Sequence, residues 1–80
     1  MSQIEDRLQA VMRDVFDRPD IVVSPAMTAA DVEEWDSLSH VNLVVAVEKE
    51  FGLHFTLAEI KPLKNVGEMM DLIRRKGIQD

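Results

Sequence analysis

The stretch Asp36-Ser37-Leu38-Ser39-His40-Val41-Asn42-Leu43-Val44-Val45-Ala46-Val47-Glu48-Lys49-Glu50-Phe51-Gly52 decides the fold. Leu38 to Phe51 has helical character, Asp36 and Ser37 are both residue types that cap a helix N-terminus, and Gly52 stands where a C-terminal glycine belongs. At about 100° per residue, Leu43, Val47 and Phe51, with Ala46 alongside, form one apolar stripe. Leu38, Val41 and Val45 lie far around the axis and form a second. One stripe suffices for a core. The second therefore has two readings: a plain core contact with other helices, or a surface that docks a partner or lines a groove.

Before this helix, Arg18 to Asp36 breaks every periodicity: Pro19 and Pro25 interrupt any helix, while Ile21, Val22, Val23, Met27, Val32 and Trp35 supply scattered apolar anchors. A pinned loop is expected, with a short helical turn around Thr28 to Val32 or a function of its own, because structureless connections of this length are unusual in compact domains. Further back, Ser2-Gln3-Ile4-Glu5 has capping-box spacing, and Ile4, Leu8, Val11 and Val15 share one face of a long first helix that ends near Asp17 and Pro19. On the C-terminal side, Thr56-Leu57-Ala58-Glu59 is another capping box, cut short by Pro62. Asn65 and Glu68 open a last helix with Val66, Met69, Met70 and Ile73 on its buried face and Arg74, Arg75 and Lys76 before Gly77. The expected fold is all-α: a four-helix bundle with a long first loop and a short third helix.

Eighty residues, 46% of them hydrophobic, suit a single domain over 1–80 and leave little chain to enclose a deep catalytic cavity as well as a core. Without cysteine there is no disulfide, thiolate metal site or cysteine nucleophile. The longest apolar run, Leu43 to Val47, falls far short of the roughly 20 residues that span a bilayer, and the opening residues lack the pattern of a secretory signal. No membrane span and a cytoplasmic location are the expectations. Fifteen acidic against nine basic residues give a formal charge of −6, which repels nucleic acid and attracts basic protein surfaces.

Asp36-Ser37-Leu38, half-way along an acidic chain, after a long loop and before an apolar helix ending Glu48-Lys49-Glu50-Phe51, resembles the attachment motif of the acyl carrier protein family, and the likeness covers nearly the whole chain. The resemblance implies that Ser37 receives 4'-phosphopantetheine from coenzyme A through a phosphopantetheinyl transferase, with magnesium assisting the transfer, and that acyl groups then ride on the arm's terminal thiol. The position agrees with this, since a helix N-terminus favours an attached phosphodiester and an exposed loop-helix junction lets an arm swing. Asp36, Leu38 and His40 flank the attachment point, with His40 one turn on and near the arm's phosphate. The resemblance also places partner contacts on Asp36, Glu48 and Glu50, beside the apolar Leu38, Val41 and Val45, with acyl-loading and acyl-transfer enzymes as partners and the carrier itself a monomer.

Two departures bear on subclass. Asn42 stands where fatty-acid carriers often have an acid, and Lys49 interrupts the later acidic cluster. Trp35, where housekeeping carriers have a small residue, looks more like carriers of specialised acyl, polyketide or surface-lipid pathways; its plain structural role would be a loop anchor packed on the bundle. A peptidyl or aminoacyl carrier is a near rival, although those usually have a Gly-rich approach and a His before the serine. The rival of a different class is an unmodified helical adaptor, in which Ser37 or Asp36 is only a helix cap. An esterase built on Ser37 and His40 lacks an oxyanion hole and a nucleophile elbow, so the chain reads as a carrier and not an enzyme. His40 and His54 are too far apart to suggest a metal pair, and the acids from Asp31 to Asp36 lack the glycine and distal glutamate of a calcium loop.

Overall fold

The computed structural model describes residues 3–78. Within them the elements run α1 (Gln3–Val15), a 3-10 turn (Ala29–Asp31), α2 (Ser37–Phe51), α3 (Leu57–Ile60) and α4 (Val66–Arg75). This is the expected all-α order, long first loop and short third helix included. The anticipated Ser2–Glu5 capping box lies outside the described residues, because Ser2 does.

α1 stops at Val15, short of the expected end near Asp17. The Arg18 N–H donates to the Arg13 carbonyl (3.0 Å) and the Asp17 N–H to the Asp14 carbonyl (3.4 Å), with Asp17 in the left-handed region at φ 53°. That is a Schellman turn with aspartate in the place usually held by glycine. Its buried face is Ile4, Leu8, Val11 and Met12, continued by Phe16. Val15, expected on that face, is only half-buried, because Met12 and Phe16, one turn apart, fill the seam instead.

α1 packs against α2 and α4. From α2 the core receives Leu43, Val47 and Phe51 as expected, and also Val44; Ala46 is half-buried. α4 contributes Val66, Met69, Met70 and Ile73 as expected, together with Leu72. Side chains such as Ile4, Leu8, Leu43 and Ile73, all fully buried, each contribute about 1.5–3 kcal/mol by leaving water. The second α2 stripe stays outside: Leu38, Val41 and Val45 are 74%, 55% and 44% exposed. A core contact is thereby excluded for them.

Ile21, Val23 and Val32 of the loop are buried, but Val22 faces solvent, since successive side chains of an extended backbone point to opposite sides. The loop is held by its backbone. The Arg13 guanidinium donates to the Ile21 carbonyl (2.7 Å), and the Val23 N–H donates to Oε1 of Gln9 (2.9 Å). At the other end the Val66 and Gly67 amides, two of the orphan donors of α4's first turn, donate to the carbonyls of Met27 (2.8 Å) and Pro25 (2.9 Å). A Cβ on Gly67 would sit 2.9 Å from that Pro25 oxygen, so glycine permits the close approach. The expected helical turn is present as the 3-10 turn, capped by Thr28. α3 begins with the Thr56 and Glu59 capping box, and Glu59 also pairs with Lys76 beyond the end of α4 (2.7 Å), which ties the short helix to the bundle.

Candidate functional site

Ser37, Leu38, His40, Val41 and Val45 lie along the first nine residues of α2, with Asp36 immediately before it. Asp36 is the N-cap: its Oδ1 accepts from the amides of Leu38 (3.1 Å) and Ser39 (2.9 Å). Ser39 returns the favour by accepting from the Asp36 N–H (2.8 Å), and its single hydroxyl proton is shared between Oδ1 of Asp36 (2.9 Å) and the Glu34 carbonyl (2.6 Å). These bonds, first from the Ser39 amide and then from its hydroxyl, hold the Asp36 carboxyl below its ordinary value. Ser37 lies between the two braced residues, and its exposed hydroxyl makes no hydrogen bond among the described residues. The position thus combines a rigid anchor with a free nucleophilic oxygen at the positive end of a 15-residue helix.

The approach to the helix is fixed by two further contacts. Arg18 bonds Asp20 and Glu34 (2.9 Å each), which pushes the Arg18 pKa up and holds the Asp20 carboxyl at about 2. Trp35 is half-buried and serves as the loop anchor: one contact is with Phe16 (centroids 5.9 Å), and another is with His40, on which it stacks at 6.1 Å and 17°. The Trp35 Nε1–H donates to Nδ1 of His40 (3.2 Å). Indole nitrogen only donates, so Nδ1 must carry a lone pair and the neutral ring keeps its proton on Nε2. No hydrogen bond joins Ser37 to His40, which removes the geometric basis of a serine-histidine pair.

His40 also lines two adjoining cavities. The smaller, about 80 Å³, lies toward Trp35, Lys64 and Met69; the larger, about 440 Å³, is bounded by Val41 of α2, Leu57 and Ile60 of α3, and Lys61 and Leu63 after it. His40 and Leu63 border both. Of the expected acidic contacts, Asp36 stands beside Ser37, whereas Glu48 and Glu50 lie at the opposite end of α2. Glu48 accepts from the Phe55 N–H (2.8 Å) with His54 beside it (3.1 Å), and Glu50 pairs with Arg7 (2.9 Å), whose guanidinium also covers the Phe51 ring. Both carboxylates are thus engaged inside the chain. Among the described residues no group of three or more His, Asp or Glu is placed to hold a metal ion, and no helix is long and apolar enough to cross a membrane.

Sequence reasoning missed Ser39, although a hydroxyl three residues after Asp36 has the spacing of a capping box with serine in place of glutamate. It also missed the groove walls Leu57, Ile60 and Leu63. No local signal marks them, because the groove exists only once α3 folds beside α2.

Residues 6–73 match the family model described as the phosphopantetheine attachment site. The chain is 36% identical over 76 residues to an acyl carrier protein of Thermosynechococcus vestitus, covering 94% of this chain and 93% of that one. An acyl carrier protein of Acidothermus cellulolyticus is 38% identical over 66 residues, covering 82% and 79%. In three dimensions the chain is similar to the solution structure of a holo acyl carrier protein from Geobacter metallireducens, with a TM-score of 0.86 and 42% identity over 91% of this chain and 84% of that one. With that match to the attachment-site model and those relatives, on an all-helical frame that presents a free serine hydroxyl at a capped helix start, the chain belongs to the acyl carrier protein family, carriers of covalent 4'-phosphopantetheine and not enzymes.

Proposed function

We propose that Ser37 is the attachment point of 4'-phosphopantetheine and that residues 1–80 act as one carrier domain for acyl thioesters. The observation that carries this is the exposed, unbonded Ser37 hydroxyl at the first position of α2, flanked by the locked Asp36 and Ser39. These residues fit the group: an anionic phosphodiester on Ser37 would sit at the positive dipole end of α2, while Asp36 already holds the Leu38 and Ser39 amides in its own cap. In the attachment reaction Ser37 Oγ bonds to the 4'-phosphate of coenzyme A, the pyrophosphate bond breaks, 3',5'-ADP leaves and the hydroxyl proton goes to solvent or the transferase. The arm, once attached, supplies a thiol that holds acyl groups as thioesters.

Partners then meet the top of α2. Leu38, beside Ser37 and 74% exposed, is positioned to bury against a phosphopantetheinyl transferase or an acyl-transfer enzyme, and Val41 and Val45 continue the same apolar stripe. Asp36 contributes negative charge there, whereas Glu48 and Glu50 can add only what their internal pairs leave over. We assign the chain to a specialised acyl, polyketide or surface-lipid pathway in the cytoplasm. Trp35, Asn42 and Lys49 support that assignment by departing from the usual fatty-acid carrier pattern.

The test is intact-protein mass after incubation with coenzyme A, magnesium and a broad-specificity transferase, beside a Ser37→Ala variant. The parent should gain one phosphopantetheine and the variant none, with both giving the same helical circular dichroism. Gain by both would place the arm elsewhere. No gain by a folded parent with several transferases would favour an unmodified adaptor that binds through α2.

A further inference from the structure

Trp35 ties three parts of the chain together just before the Asp36 cap. Its amide donates to the Val32 carbonyl (3.0 Å), and its ring meets Phe16, just past α1, and stacks on His40 of α2. Ser37 stands between the two stacked partners, two residues after Trp35 and three before His40. The polar part of the stack is the Nε1–H that Trp35 donates to Nδ1 of His40 (3.2 Å). That bond requires a neutral imidazole. A protonated ring carries a hydrogen on each nitrogen, so the same geometry would set two donors head to head.

The surroundings offer a positive ring no replacement partner. The charged side chains bordering the His40 cavities are Lys61, at the end of α3, and Lys64, before α4, and no acid lines either cavity. On the loop side Glu34 is paired with Arg18, and on α2 the Asp36 carboxylate is held by the Leu38 and Ser39 amides. What reaches the stack from the end of α1 is the uncharged ring of Phe16. We propose that the Trp35–His40 pair positions Ser37 for attachment of the arm, closed by neutral imidazole and released by its protonation, so that loading is sensitive to pH. The inference rests on Ser37 bearing the arm. Neither ring touches a reacting atom; both act through the backbone on the two sides of Ser37, and holding a nucleophile in one geometry lowers the barrier to its reaction. Histidine changes charge between about pH 5 and 8. That window is clear of the acidic range in which Glu59, held at about 2 by Lys76, gains its proton.

The experiment follows the indole Nε1–H resonance of the full chain by NMR from pH 8 to 5, and measures kcat/KM for loading by a transferase with coenzyme A and magnesium over the same range. Three variants stand beside the parent, each checked by circular dichroism. His40→Gln keeps a carbonyl oxygen that accepts at every pH, Trp35→Phe removes the donor, and His54→Gln removes the other histidine, which sits beside Glu48 at the far end of α2. The ratio of parent to variant cancels the pH dependence of the transferase itself. In the parent and in His54→Gln the indole resonance should move in one step, with the Asp36 and Ser37 amides moving alongside, whereas in His40→Gln it should stay in place. The loading ratio of parent to His40→Gln should fall roughly two- to tenfold between pH 8 and 5.5, the range that one net hydrogen bond is worth, and the ratio of parent to Trp35→Phe should fall with it. An indole resonance in the parent that does not move overturns the proposal without recourse to any variant. So does a step accompanied by flat loading ratios, which makes the pair purely structural and leaves the carrier reading intact. Failure of the folded parent to load at any pH overturns the attachment reading and this inference together.

Discussion

Asp17 and Gly52 both take left-handed backbone angles at the ends of the two long helices, φ 53° and 64°, and only one of them is glycine. A side chain in that region costs roughly 1–2 kcal/mol, less for aspartate. Asp17→Gly should therefore raise stability by about 0.5–1 kcal/mol, and Gly52→Ala, with open space around its Cβ, should lower it by roughly 1–2 kcal/mol. Urea midpoints at constant m-value measure both. Trp35→Phe keeps a ring against Phe16 but removes the donor to His40, and should cost about 1 kcal/mol, read from the same midpoints. At this scale the site was largely legible. Asp36 and Ser37 announce a helix start through residue type alone. The Trp35–His40 bond was not legible, because five residues apart in sequence says nothing about a loop folding back over the first turn of a helix.

Helix boundaries follow from short-range chemistry, so α2, α3 and α4 lie where caps and prolines predicted them, and the 3-10 turn sits inside its expected span. The exception, the early end of α1, turned on aspartate accepting a conformation usually reserved for glycine. What the periodicity could not reveal is how the loop attaches. Gly67→Ala drives a Cβ toward the Pro25 carbonyl and should cost about 1–3 kcal/mol, with faster amide exchange at Val66 and Gly67 as the loop detaches from α4. α3 should be acid-labile. Glu59 is depressed from 4.5 to about 2, first by Lys76 and then by the Thr56 amide. The stabilisation from a depressed carboxyl is complete above its unfolded value and is lost as pH falls through its folded value. Between about pH 4.5 and 2, α3 amides should lose exchange protection before those of α1, and Glu59→Gln should produce the same loosening at neutral pH.

For the whole molecule, a core built from α1, α2, α4 and the segments between them leaves little redundancy. Leu8→Ala, at a fully buried position, should cost about 2–5 kcal/mol out of a total of roughly 5–15 for a domain of ordinary stability. The charge of −6 has a kinetic consequence: the rate of loading by a transferase with a basic surface should fall as ionic strength rises, while the loaded product stays the same. The fold class was readable because stripes, caps and breakers all agree. The fate of the second α2 stripe was not, since nothing in Leu38, Val41 and Val45 says whether another helix will arrive to cover them. The groove is a property of assembled helices, as are the pairs that occupy Glu48 and Glu50.

The stacked ring two residues from Ser37 also makes the protein its own indicator. Trp35 is the lone tryptophan and there is no tyrosine, so ultraviolet fluorescence comes from one indole held against one imidazole, two positions from Ser37. Arrival of a phosphodiester, departure of an acyl group or docking of an enzyme at α2 all change the polarity around that chromophore. Each step of a carrier's cycle can then be followed as emitted light, in real time and without a label.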